Sequence, residues 1–244
     1  MRTKIQFAKF LMVGVTMVAA TAVTSGAAAT TIWTDWSSAT VGSPGSATGN
    51  LNGIGVTYSG EVTNAATVTN GTPGSGIWKT DSSFIGGAVT TSPSTVGDAI
   101  SLQGDFSGTN TITFASPVVD PVFAIWSLGQ TKISGGWRLV TSSFVFDQMP
   151  TFEAGGPVTP YGGQPISVSG YVVTGEEGNG TVRFEGTFSR LSWTQGTPES
   201  YYAFTVGQNG RRPSEPESVP EPATLALLGL GLAGLAMARR RWES

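Results

Sequence analysis

Acids are the only side chains in this sequence from which a catalytic centre could be built. The 244 residues include no histidine and no cysteine. That removes Ser-His-Asp and Cys-His nucleophilic relays and the usual ligand sets of catalytic zinc and copper. Serine is plentiful, yet none stands in a GxSxG elbow or an SxxK motif. No GxxxxGK[ST] phosphate loop is present either. Carboxylate chemistry is left, because glycoside hydrolysis needs only two acids about 5–10 Å apart. The candidates are Glu153, Glu176, Glu177 and Glu185, with Asp147. Glu185 falls on the solvent side of an alternating run. Glu176 and Glu177 precede Asn179-Gly180, a turn dipeptide that would put them at a hairpin tip. The closely spaced strand carboxylates of sandwich glycosidases are missing. Solvated surface acids are the expectation, and a protein that is not an enzyme.

Two binding chemistries stay open. Calcium needs only hard oxygen ligands, and Asp98 and Asp105 flank a short strand with Asn110 close by. With no EF-hand or repeat-type loop they are weak candidates, so calcium is admitted but no cofactor is required. Six tryptophans lie between Thr30 and Val219: Trp33, Trp36, Trp78, Trp126, Trp137 and Trp193. Trp126 and Trp193 sit in apolar surroundings and read as core. Trp78, in a loop-like stretch between Gly76 and Asp81, is the ring most able to face solvent and stack on a sugar.

The elements that would position these residues are strands. Ile54, Val56 and Tyr58 alternate with polar neighbours, and so do Val182, Phe184 and Phe188 with Arg183, Glu185 and Thr187. Val118 to Leu128 is apolar on both faces, as a covered central strand should be. Val41 to Gly53, rich in Gly, Ser and Asn, reads as a loop. Asn52-Gly53, Asn70-Gly71, Asn179-Gly180 and Asn209-Gly210 read as turns. No 3.6-residue apolar period appears from Thr30 to Val219. About ten short strands without a fixed repeat predict an all-β fold, an antiparallel β-sandwich of jelly-roll type.

Both ends of the chain carry targeting patterns. Arg2, Lys4 and Lys9 precede an apolar run, Phe10 to Val23, and then Ala27-Ala28-Ala29. This predicts a signal peptide over 1–29, cut by signal peptidase between Ala29 and Thr30, with Ala28 or a neighbour as the alternative. A sandwich domain over 30–207 and a polar, Pro-rich linker over 208–218 follow. Six of the 13 Lys and Arg residues and two of the 16 acids lie in the two ends, so the intervening part carries a net charge of about −7. Such a domain has no electrostatic footprint for nucleic acid.

The tail, 219–244, has three consecutive parts. Val219-Pro220-Glu221-Pro222 is extended, since each proline fixes its own φ and biases the residue before it. Ala223 to Ala238 is uncharged, and as a helix would span roughly 24 Å of the about 30 Å of bilayer hydrocarbon. Arg239, Arg240 and Arg241 follow, able to snorkel and, by the positive-inside rule, cytoplasmic. A single C-terminal transmembrane helix over 223–238 with its basic tail 239–241 is the expectation. This arrangement resembles the PEP-CTERM sorting signal of bacterial exported proteins. The resemblance implies an exosortase as partner, anchoring in the inner membrane with the domain outside, and then passage to the envelope or extracellular matrix. It also implies contact with exopolysaccharide, since the signal marks many proteins of exopolysaccharide-producing bacteria. A plain C-terminal anchor that is never cut is the alternative. The function expected is a non-enzymatic envelope or matrix component. A carbohydrate-binding, lectin-like module is the alternative, and a glycosidase comes third.

Overall fold

The computed structural model of the protein describes residues 30–66, 78, 82–94, 98–157 and 164–209. Alternating side chains give strands with one face on a core, and the described residues form two large antiparallel sheets with one short hairpin. In spatial order the eight-stranded sheet runs β13 (Ser167–Ser169), β14 (Val172–Gly175), β11 (Ser142–Phe146), β16 (Thr187–Gln195), β7 (Asn110–Val119), β4 (Ile54–Val62), β3 (Gly42–Leu51) and β2 (Asp35–Thr40). The seven-stranded sheet runs β12 (Thr151–Pro157), β15 (Gly178–Arg183), β8 (Pro121–Leu128), β17 (Tyr202–Asn209), β6 (Ala99–Leu102) and β5 (Asn64–Ala66), and β1 (Thr31–Trp33) pairs with the far end of β17. The hairpin is β9 (Gln130–Ile133) with β10 (Gly136–Leu139).

The two sheets bury a shared core. The eight-stranded sheet contributes Tyr58, Ile112, Phe144, Phe146, Leu191 and Trp193, and the seven-stranded sheet contributes Ile100, Phe123, Ile125, Val182, Phe204 and Val206. Phe123 meets Trp193 edge-on at 5.1 Å across the sandwich, and Phe204 meets Trp193 edge-on at 5.0 Å. Such pairs add about 0.5–1.5 kcal/mol each to the gain from burial. With no disulfide available, this core must offset the conformational entropy of the chain.

β8 is covered on both sides as expected, but the run from Val118 to Leu128 is not one strand: Val118 and Val119 end β7 in the other sheet, and Asp120, with φ of 46°, turns the chain into β8. Phe123 and Ile125 face the shared core, whereas Ala124 faces a second cluster made with Trp78, Phe84, Ala99 and Ala203. A single 3-10 turn, Ser82–Phe84, carries Phe84 into that outer layer, and its carbonyl accepts a bond from Thr181 Oγ1 at 3.3 Å. Trp193 is buried in the main core. Trp126 is half-buried beside the outer cluster and edge-on to Tyr201 at 5.5 Å.

Several local expectations change. The stretch read as a loop from Val41 to Gly53 is mostly strand β3, paired on both sides. Its buried positions are Gly45, Ala47 and Leu51, so inward positions exist but only Leu51 among them is a large apolar side chain. Asn52-Gly53 does form the β3–β4 turn, with φ of 52° and 84°, both positive as a type I′ turn requires. Asn179-Gly180 does not turn: both residues lie within β15. The run from Thr181 to Phe188 is split between sheets, because β15 ends at Arg183 and β16 begins at Thr187. Among the described residues no helix is long and apolar enough to cross a membrane. The linker expected over 208–218 begins too early, because Gln208 and Asn209 are the last residues of β17 and Gln208 is buried. Its remainder 210–218, the signal segment 1–29 with Ala27 and Ala29, and the tail with its helix 223–238 lie outside the described residues.

Candidate functional site

The acids singled out in the sequence fall into three separate places. Glu153 and Glu185 are joined by Arg183, whose Nε donates to Glu153 Oε1 at 2.6 Å and whose Nη2 donates to Glu185 Oε1 at 2.8 Å. Asp120 stands 3.9 Å from the same guanidinium. Glu153 also accepts the Ala88 amide at 2.6 Å, and its side chain is only 5% exposed. A guanidinium occupies the space between these carboxylates where a glycosidic bond would have to lie. They are neutralised and fixed in place.

Glu176 and Glu177 part company. Glu176 is exposed and accepts Thr141 Oγ1 at 2.8 Å. Glu177, expected at a solvated hairpin tip, is fully buried with φ of 56°. The hairpin is absent because Asn179 lies in a strand, where its Oδ1 accepts the Ser127 amide at 2.9 Å. Ser127 Oγ in turn donates to Glu177 Oε1 at 2.6 Å. Burial pushes the Glu177 carboxyl up, and the Ser127 hydroxyl partly opposes that shift.

A third buried acid, Glu199, went unnoticed in the sequence. Its Oε2 accepts the amides of Gly129 and Gln130, the latter at 2.7 Å. Burial pushes its pKa up to about 9, against the pull of those two amides and with help from the Glu177 charge. Tyr202, alongside, is raised well above the phenolic range by burial and by the charges of Glu199 and Glu61. Pattern reasoning had no signal for Glu199, since it sits in the polar loop before β17.

Asp147 stands apart at the end of β11. Its Oδ1 accepts the Ser192 amide at 2.9 Å, which ties it to β16. It lines an open surface cleft of about 430 Å³ with Thr113, Gln148, Thr187, Phe188 and Arg190. Asp147 is the single acid there. The register shift between Phe188 and Arg190 in the β16–β7 pairing sets both side chains at the cleft, and among the described residues the salt bridges all belong to Arg183. The cleft therefore offers a cation without a salt bridge to any described residue, an acid, hydroxyls and part of an aromatic ring.

The two metal candidates are not brought together. Asp98 is buried, with φ of 61°, and its Oδ1 accepts the Trp36 amide at 3.1 Å. Asp105 is exposed at the other end of β6, and four residues of strand, about 13 Å, separate them. Burial pushes the Asp98 carboxyl up to about 6, against the Trp36 amide. Among the described residues no three acidic side chains converge to hold a metal. The expectation for Trp78 is overturned. Its ring is fully buried, edge-on to Phe84 at 5.2 Å, and its Nε1 donates to the Asp98 carbonyl at 3.3 Å. The flat outer face of β8 needs an apolar cover, and Trp78 supplies it.

The sorting residues Val219, Pro220, Glu221, Pro222, Arg239, Arg240 and Arg241 follow the last described strand, β17. No curated protein and no solved structure matches the chain. Residues 218–241 match the family model described as the PEP-CTERM protein-sorting motif, so the C-terminal tail carries this motif, which marks an exported protein sorted by an exosortase.

Proposed function

We propose that the protein is a non-enzymatic component of the cell envelope or extracellular matrix, delivered there by exosortase processing of its tail. The match at 218–241 carries this proposal. In it, signal peptidase removes 1–29 and the helix 223–238 holds the chain in the inner membrane with the domain outside. Exosortase then acts at Val219–Pro222, with Arg239–Arg241 in the cytoplasm. The non-enzymatic part is supported by the acids themselves: Glu153 and Glu185 are tied to Arg183, and Glu177 and Glu199 are sealed from substrate. The sandwich is read as a jelly-roll variant, because the connections after β6, β7, β15 and β16 each pass from one sheet to the other.

Intact mass and fractionation, in cells with and without the exosortase, test the proposal. A product running from near Thr30 to Val219–Pro222, released from the membrane only when the exosortase is present, is the expected result. A membrane-bound species keeping Arg239–Arg241 in both strains would overturn it in favour of a plain anchor.

The cleft beside Asp147 supports a second reading, a carbohydrate-binding module. Sugar recognition combines a ring for stacking with charged and hydroxyl groups for hydrogen bonds, and Phe188, Asp147, Arg190 and Thr187 provide these. Retention of the protein on purified exopolysaccharide, lost in Asp147→Ala and Arg190→Ala, would support it. A glycan array without hits would end it.

A further inference from the structure

Glu177 and Glu199 both hold the same short turn. Ser127 Oγ donates to Glu177 Oε1 at 2.6 Å, and the Glu177 amide donates to the Gly129 carbonyl at 3.2 Å. The Gly129 and Gln130 amides donate to Glu199 Oε2. Each carboxylate thus spends one oxygen on residues 127–130. The other oxygen of each, Glu177 Oε2 and Glu199 Oε1, is buried and has no hydrogen-bond partner among the described residues. The residues are 0% and 6% exposed. The Tyr202 hydroxyl, also buried, has no partner either, and the charge of Glu199 acts on it.

Leaving such atoms unpaired is expensive. A buried acceptor without a donor forfeits its solvation with nothing in return, the more so when charged, and two like charges at one buried turn add repulsion. Among the described residues no salt bridge reaches either carboxylate, since those present are all of Arg183. A single proton would neutralise one carboxyl and leave the other charge buried. A divalent cation would neutralise both and give both free oxygens a partner.

We propose that Glu177 Oε2 and Glu199 Oε1 bind a divalent cation of the calcium type at the turn 127–130, where β8 ends. The ligands are hard oxygens, which suit calcium, and without nitrogen or sulfur they do not select zinc or copper. Two oxygens are part of the six to eight that calcium takes, and water and chain carbonyls complete the set. The ion clamps three segments separated in sequence: 127–130, the loop before β15, and the loop before β17. Modules outside the cell bind calcium with dissociation constants of about 10⁻⁴–10⁻³ M, and an exported protein meets such concentrations.

The test uses the full chain in detergent. Calcium in the millimolar range should raise the melting temperature by several degrees over protein held in a chelator. Terbium should show luminescence sensitised by the neighbouring aromatic rings and be displaced by calcium. Glu177→Gln and Glu199→Gln should each lose both effects, whereas Glu176→Gln and Glu185→Gln should keep them. Native mass spectrometry of the unaltered protein should show one calcium per chain, a readout that stands even if a variant does not fold. The proposal fails if calcium and chelator give the same melting curve without sensitised emission. It fails equally if the two buried-site variants bind terbium as the unaltered protein does, or if native mass spectrometry shows no calcium.

Discussion

The amide of Trp36 donates to Asp98 Oδ1 at 3.1 Å, so the residue that leads into β6 of one sheet holds β2 of the other. Trp36 Nε1 adds a second tie between the sheets, to Thr205 Oγ1 at 3.1 Å. Asp98 carries a cost for its position, since burial raises its pKa to about 6. The folded protein therefore holds this proton more tightly than the unfolded chain. The stability that protonation contributes is complete below the unfolded value near 4 and is lost as pH rises through about 6. Asp98→Asn keeps an oxygen acceptor for Trp36, tolerates the positive φ and has no charge to bury. It should melt like the unaltered protein near pH 4 and be more stable near pH 7.5, by on the order of 1 kcal/mol. Thermal melts of both proteins across that range check this. A variant less stable at every pH would show that the charged bond to Trp36 outweighs the desolvation.

Trp78 should prove structural. Truncation to alanine uncovers Phe84, Ala99, Ala124 and Ala203, and large aromatic truncations in a core cost about 3–5 kcal/mol. Chemical denaturation should show a loss of that size with unchanged retention on polysaccharide. A stable Trp78→Ala protein would mean that the outer layer contributes little.

Arg183 should matter far more than any one of its exposed partners. Replacing it with methionine keeps much of the stem and strands Glu153, whose side chain is 5% exposed. Breaking a buried pair from one side costs about 3–5 kcal/mol. Glu185→Ala removes a partner that is 65% exposed and should cost under about 1 kcal/mol. Urea midpoints of the two variants check the ordering.

Gly129 has φ of 104°, and a Cβ there would run into the carbonyl oxygens of Val140 and Gly175. Gly129→Ala should therefore destabilise by about 3 kcal/mol or more through strain and collision together. Because the same turn holds Glu177 and Glu199, the variant should also lose any calcium-dependent change in melting temperature. Differential scanning fluorimetry with and without a chelator reads both effects.

The features legible in the sequence were those decided by neighbours along the chain. The alternation at Val182 and Phe184, the two-faced run through Phe123 and Ala124, the Asn52-Gly53 turn and the tripartite tail are of this kind. β3 was hidden because its inward positions are Gly45, Ala47 and Leu51, of which Leu51 alone is a large apolar side chain, too few to register as a hydrophobic period. The buried acids were hidden for a different reason. Glu177 meets Ser127 across 50 residues of sequence, and Glu199 meets Gly129 across 70. Polar residues in Gly-rich loops look solvated until the fold brings partners to them. Trp78 was misplaced by the same logic, since Ala124 and Ala203, which it covers, are far off in sequence.

β17 is the last described strand, and the sorting tail follows from its Asn209 end, where Thr31 is its registered partner. The Glu199 loop and the turn 127–130 lie at its Tyr202 end. Eight strand residues, about 27 Å, separate the two. A molecule held by its tail thus keeps both ends of its domain, Thr31 and Asn209, on the side of the tether. In the tethered arrangement proposed above, the loops around Glu177 and Glu199 form the opposite pole and are the part of the domain presented away from the membrane.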